Sequence, residues 1–158
     1  LEAQLALSLE YIYKTHNLLP VFIPMHQSDV EIIMDTVGKM KVPYRILSKT
    51  YVPEELIGIM ERMELVIAMR LHTLIYSSIT ATPMIGLIYD PKIKGYLDYI
   101  GQSAAGNVEN IRSEMINAQA DEIMNNYSDN KRRLENTMKA MKEKAKANAF
   151  LAYELMKS

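Results

Sequence analysis

The chain has no cysteine. That excludes a disulfide framework and a thiolate metal site, and it fits a reducing compartment. It has no apolar run long enough to read as a membrane-spanning helix, and its first residues show no signal-peptide pattern. It has little net charge, formally −1, so nothing global points to nucleic acid or to an acidic membrane surface. It lacks a glycine-rich phosphate loop, an HExxH pair and a GxSxG elbow. Its three scattered histidines do not make a metal set. No metal and no cofactor is expected.

What is present suits one compact α/β domain. The 158 residues are 49% hydrophobic, enough for a real core. The twelve methionines are spread over several helical segments, which reads as core filling. Leu1, Leu5, Leu9 and Ile12 share one helical face, with Asn17 as a stop. "LLPVFIPM" follows as a buried strand, Leu19 to Met25. Ser28 and Glu31 have capping-box spacing ahead of the stripe Val30, Ile33, Met34 and Val37. "YRILS", Tyr44 to Ser48, is a second strand, and Pro53 with Glu54 and Glu55 opens a third helix. "ELVIAM" is the third strand, "RLHTLIYSSITA" a helix with Leu71, Leu74, Ile75 and Ser78 inward, and "PMIGLIY" the fourth strand. Asp90-Pro91 starts a short helix ending near Gly101, and the small, polar "GQSAAGNVEN" reads as loop. Two helices close the chain, near residues 111–126 and 128–157.

Strands without polar alternation, separated by helices, mean a parallel sheet covered on both faces. The expected architecture is a Rossmann-like doubly wound lobe over residues 1–127, with at least four parallel strands, and a long terminal helix over 128–158. A doubly wound unit usually opens on a strand, whereas this chain opens on a helix. We therefore expect a first strand upstream of Leu1 and a longer parent protein. The terminal helix carries a thin seam, Leu134, Met138, Met141, Ala145, Ala152 and Leu155, beside a basic first half. It reads as a solvated helix lying across its own domain. Part of its seam is expected to be exposed or covered by a second copy of the chain.

In open parallel sheets, ligands bind beyond the carboxyl ends of the strands. Three such ends carry polar groups: His26, Gln27 and Asp29; Arg70 and His72; Asp90 and Lys92. Arg70 leaves the third strand and His72 falls in the first turn of the helix behind it. An arginine fork, an imidazole and the free N–H groups of a helix start together suit a phosphate or carboxylate. The structural alternative is that Arg70 ties the sheet edge with a salt bridge and His72 is a satisfied, partly buried residue. Two cations at a helix start cost on the order of half a kcal/mol each unless an anion is there. Asp90 reads as a helix cap and Asp29 as serving the first turn of its own helix.

The stretch "ELVIAMRLHTLIYSSITATPMIGLIYDPKIKGYLDYIG" resembles the signature region of the polysaccharide pyruvyl transferase family. The family shows an apolar strand, then R-L-H-x-L-I, then a short strand ending in Y-D-P-K. Here these are Arg70-Leu71-His72-Thr73-Leu74-Ile75 and Tyr89-Asp90-Pro91-Lys92. "FIPMHQSDVEII" resembles the family's preceding strand-to-helix segment, with Asp29 as its acidic residue. The resemblance implies the carboxy-terminal lobe of a GT-B-like enzyme. Such an enzyme moves a pyruvyl group from phosphoenolpyruvate to a sugar of a polysaccharide or lipid-linked saccharide, forming a cyclic ketal. It implies a cytoplasmic setting, at the inner face of the cell membrane, and an amino-terminal lobe holding the acceptor groove. It makes His72 the catalytic proton-transfer group and Arg70, Lys92, Asp90 and Asp29 the substrate-binding set. Two rivals stand beside it. One is a nucleotide-sugar-dependent GT-B glycosyltransferase or epimerase lobe. The other is a non-catalytic interaction module working through its basic terminal helix.

Overall fold

Each apolar run becomes a strand, and each amphipathic stretch between them a helix. In the computed structural model, which describes residues 1–47 and 49–157, the order is α1 (Glu2–His16), β1 (Val21–Phe22), α2 (Asp29–Val37), β2 (Arg45–Ile46), α3 (Pro53–Met60), β3 (Val66–Ala68), α4 (Leu71–Ile79), β4 (Met84–Ile88), α5 (Pro91–Tyr99), β5 (Ala104–Asn107), α6 (Ser113–Asn125) and α7 (Tyr127–Lys157). Ser48, the end of the second expected strand, and Ser158, the end of the terminal segment, lie outside the described residues.

The strands are parallel and form two sheets, β1-β2 and β3-β4-β5. β1 is far shorter than its apolar run. Pro20 and Pro24, which have no N–H for a ladder, bracket it. Asn17 does stop α1, in the left-handed conformation at φ 56°. Asp90 does cap α5, its carboxylate accepting from the Lys92 N–H at 2.9 Å with Pro91 in the first helical position.

One reading needs correction. "GQSAAGNVEN" is not wholly loop, because Ala104–Asn107 pairs with β4 as β5. Alanine, glycine and asparagine carry no strand preference of their own. The open edge of β4 supplies the hydrogen bonds, and α6 covers Ala105, which is buried beside Ile111 and Ile116. The register slips by one residue opposite Gly86/Leu87, and Gly106 there has φ +150°. A side chain at Gly106 would stand 2.9 Å from Met115 Cε.

β4 is buried on both faces and divides the core in two. Met84 packs with Met60, Leu74, Ile93, Leu97 and Leu134, from α3, α4, α5 and α7. Ile85 and Leu87 pack on the other side with Ile12, Ile116, Ala120 and Ile123, from α1 and α6. α1 also packs on α2. α1 and α6 run in the same direction. The Ser113 N–H donates to Gln4 Oε1 (2.7 Å) and the Ser8 hydroxyl to the Ser113 carbonyl (3.1 Å), while Tyr11 and His16 both reach Asp121 (2.8 and 2.7 Å). The start of α7 is held by Leu134, fully buried, with Met138 and Met141 against the same core. Beyond Met141 every described residue of α7 is exposed, including Phe150, Leu151, Tyr153 and Met156.

Two substitutions test this core. A methyl group at Gly86 would sit 2.3 Å from Leu97 Cδ1, and Leu97 is itself locked in the core. Gly86→Ala is expected to lower stability by about 1–3 kcal/mol in urea unfolding. Leu134→Ala should cost about 2–5 kcal/mol, because it empties a site closed on all sides. Phe150→Ala, on the exposed end of the same helix, should change stability by under about 0.5 kcal/mol.

Candidate functional site

The carboxyl ends of β1, β3 and β4 lead into a common rim. Arg70 is the N-cap of α4, in extended conformation, so its side chain leaves the strand exit sideways. Its guanidinium meets Asp29 at the start of α2. Nε lies 2.9 Å from both carboxylate oxygens and Nη2 2.5 Å from Oδ1. Nη2 also donates to Ser28 Oγ at 3.1 Å. Asp29 Oδ2 accepts in addition from the backbone N–H groups of Met25 and His26, each at 3.0 Å. One carboxylate thus draws the loop after β1 and the exit of β3 together, although no ladder joins those strands among the described residues.

This geometry corrects two expectations. The capping box of Ser28 and Glu31 does not form. Ser28 stands at the N-cap of α2 but makes no side-chain cap bond, and its hydroxyl is taken by Arg70 and by His26 Nδ1 (2.9 Å). Asp29 does not serve the first turn of its own helix. It faces back to the loop and across to Arg70, because a guanidinium and two convergent N–H donors outcompete the helix start.

The electrostatics follow from the same contacts. Burial works to raise the Asp29 pKa, but the hydrogen bond and charge of Arg70, with the Met25 and His26 N–H groups, outweigh it and hold the carboxyl below its usual range. The Asp29 hydrogen bond raises the Arg70 pKa further, burial opposes that, and the charges of Asp29 and nearby Tyr89 add to it. Arg70 is a permanent cation here, with Nη1 left as the arm not engaged by Asp29.

Asp29 and Arg70 sit at the mouth of a cavity of about 250 Å³ that runs back between β1 and β3 and is otherwise lined mainly by apolar side chains. His72 and Lys92 lie outside it. Lys92 pairs with Asp90 at 3.6 Å and lies 5.7 Å from the Tyr89 ring centre. Tyr89 is near enough to Arg70 to influence it, so the rim reads Asp29, Arg70, Tyr89, Lys92. His72 is exposed in the first turn of α4, its ring 6.4 Å from that of Tyr76 one turn on. Among the described residues no hydrogen bond or ion pair joins His72 to Arg70 or Lys92. His26 and Gln27 line a separate hollow with Lys49 and Tyr51. Ser28 is the rim residue that sequence reasoning assigned to another task, since a cap and an arginine acceptor look alike in a sequence. No His/Asp/Glu group among the described residues could hold a metal ion. No helix of the described residues is long and apolar enough to cross a membrane.

A model of the polysaccharide pyruvyl transferase family matches residues 1–91. The chain belongs to that family. The matched region takes in Asp29, Arg70, His72 and Asp90 and stops one residue short of Lys92. Neither the curated proteins nor the solved structures yield a match. Membership in a polysaccharide pyruvyl transferase family makes this a transferase sequence.

The lowered Asp29 pKa gives a signed expectation. A depressed carboxylate contributes stability that is fully present above its unfolded pKa, about 4, and is lost as pH falls through the folded value. Thermal melts between about pH 7 and pH 3 should show the parent losing stability toward acid more steeply than Asp29→Asn. At neutral pH Asn should cost only on the order of 1 kcal/mol, because Arg70 remains about a third exposed and water screens the pair. Parallel acid limbs would show that the bridge carries no linkage.

Proposed function

We propose that this chain is the donor-binding lobe of a GT-B-like polysaccharide pyruvyl transferase that takes its pyruvyl group from phosphoenolpyruvate. The observation that carries the reading is Arg70. It lies inside the family match and caps α4, and it directs a guanidinium onto the rim beside the free first-turn N–H groups of that helix. Phosphoenolpyruvate carries a phosphate and a carboxylate. A fixed cation and a helix start suit both.

The roles divide as follows. Asp29 is a positioning residue. Its carboxylate is saturated by Arg70 and two N–H groups, so it fixes the guanidinium and has little left for an anionic donor. The free Nη1 arm of Arg70, with the N–H groups of Leu71, His72 and Thr73, receives a phosphate or carboxylate oxygen. Lys92 is held only by an exposed ion pair with Asp90 and can swing to the leaving phosphate. His72 delivers the proton to the methylene carbon of the enol phosphate, which makes C2 electrophilic. A sugar hydroxyl adds to C2 and loses its proton. Phosphate departs, and a second hydroxyl of the same sugar closes the ketal and releases the last proton. The acceptor is a polysaccharide or lipid-linked saccharide, and its groove belongs to the other lobe of the enzyme.

Steady-state kinetics on the full-length enzyme, reading phosphate release, test these roles. Arg70→Ala should raise KM for phosphoenolpyruvate about tenfold or more, since the charge-assisted contact of its Nη1 arm is lost. His72→Ala should lower kcat about a hundredfold or more with a smaller change in KM. Full turnover by His72→Ala would rule out its role as the proton donor, and an unchanged donor KM in Arg70→Ala would rule out the anion site.

A further inference from the structure

The two sheets turn open edges toward each other. In β1 the carbonyls of Pro20 and Phe22 accept from the N–H groups of Arg45 and Leu47 in and beside β2. Alternation then points the N–H and C=O groups of Val21 and Ile23 to the opposite edge. In β3 the Val66 N–H donates to the Pro83 carbonyl ahead of β4. The backbone groups of Leu65, Ile67 and Met69 therefore point away from β4. The cavity of about 250 Å³ lies between these edges and is lined by these five residues, with Leu5, Leu9 and Ile12 of α1 as its floor.

We infer that this cavity is the seat of one further β-strand, parallel to β1 and β3, and that the strand is the segment leading into α1. Three observations converge. The first is order. One strand set between β1 and β3 gives β2-β1-new-β3-β4-β5, the arrangement of a doubly wound sheet whose winding reverses beside its first strand. The second is the course of α1. It packs beside α2 and α6, runs parallel to α6, and feeds β1. α6 follows the carboxyl end of β5. A helix of that sense takes the chain from the carboxyl end of one parallel strand to the amino end of the next, so the strand before α1 must run parallel to β1. The third is chemistry. The lining is apolar, as a strand buried on both faces requires, and two rows of backbone donors and acceptors converge on it. An aliphatic ligand would fill the volume but leave those rows unpaired. A strand satisfies both at once.

The consequence for the site is direct. The carboxyl end of such a strand comes up beneath the Asp29–Arg70 bridge, which spans from the loop after β1 to the exit of β3, so the turn it makes into α1 becomes part of the rim.

The test compares this chain with the same chain extended at Leu1 by the roughly ten residues encoded before it, a length that covers a strand and its turn. A second extension of equal length carries Ser and Lys in place of its apolar residues. Residue-resolved amide exchange by NMR is the readout. The native extension should slow exchange at Val21, Ile23, Leu65, Ile67 and Met69 by about tenfold or more, with much less change at Val66 and Ala68, whose N–H groups already face β4. The polar extension should leave all seven unchanged. The same native residues, added as a free peptide to the unextended chain, should give the same pattern and decide the matter if the extended chain aggregates. Three results would overturn the inference. One is no selective slowing with either the extension or the peptide. Another is equal protection of the five amides in the unextended chain, which would mean that β1 and β3 pair directly. The third is dodecanoate binding in the cavity while the peptide does not bind, which would make the cavity an aliphatic ligand pocket.

Discussion

β4 must be buried on both faces, and the rest of the structure is arranged to do it. Met84 and Ile88 turn to one side, Ile85 and Leu87 to the other, and Gly86 lets Leu97 approach the strand itself. No single layer of helices can cover two faces. α3, α4, α5 and the start of α7 therefore collect on one side, and α1 and α6 on the other. Hydrophobic transfer at roughly 25 cal/mol per Å² makes this the dominant favourable term. It also explains why α7 changes character along its length. Leu134 joins a core, whereas the residues past Met141 have none to join.

The rim chemistry is a consequence of that burial. Parallel strands stacked between helices all deliver their carboxyl ends to one side. Polar residues that are distant in sequence, Asp29 and Arg70 above all, meet there. Their pair is partly shielded, and the carboxylate is further fixed by the Met25 and His26 N–H groups. A guanidinium held this way loses little conformational freedom when an anion arrives. The salt bridge, one of the two roles a reading of the sequence sets against each other, is present, and the anion-binding role proposed above would use the same fixed guanidinium. Arg70 is in a salt bridge, and that bridge is what aims it.

Charge placement elsewhere keeps to simpler rules. Asp90 caps α5, Glu55 accepts the Val52 N–H ahead of α3, and the pairs along α7 are exposed and worth little each. Tyr127 differs. Burial, with a hydrogen bond and charge from Glu64, pushes its phenol up to about 12.

The amino-acid sequence by itself determined the parallel α/β class, the succession of helices, the helix ends at Asn17 and Asp90, and the rim membership of Arg70. Each is a local property. Apolar runs without alternation, a left-handed stop, a capping carboxylate and a cation at a strand exit are written in a few consecutive residues. Only the tertiary structure decided that Ala104–Asn107 is a strand, since its hydrogen bonds come from β4 and not from its own composition. It alone turned Asp29 away from its helix, because the competing guanidinium stands forty-one residues along the chain. It left His72 exposed beside Tyr76, one helical turn on, outside the cavity that Asp29 and Arg70 line. And it set two sheets with facing open edges around α1, because strand pairing is fixed by which edges the packed helices bring together.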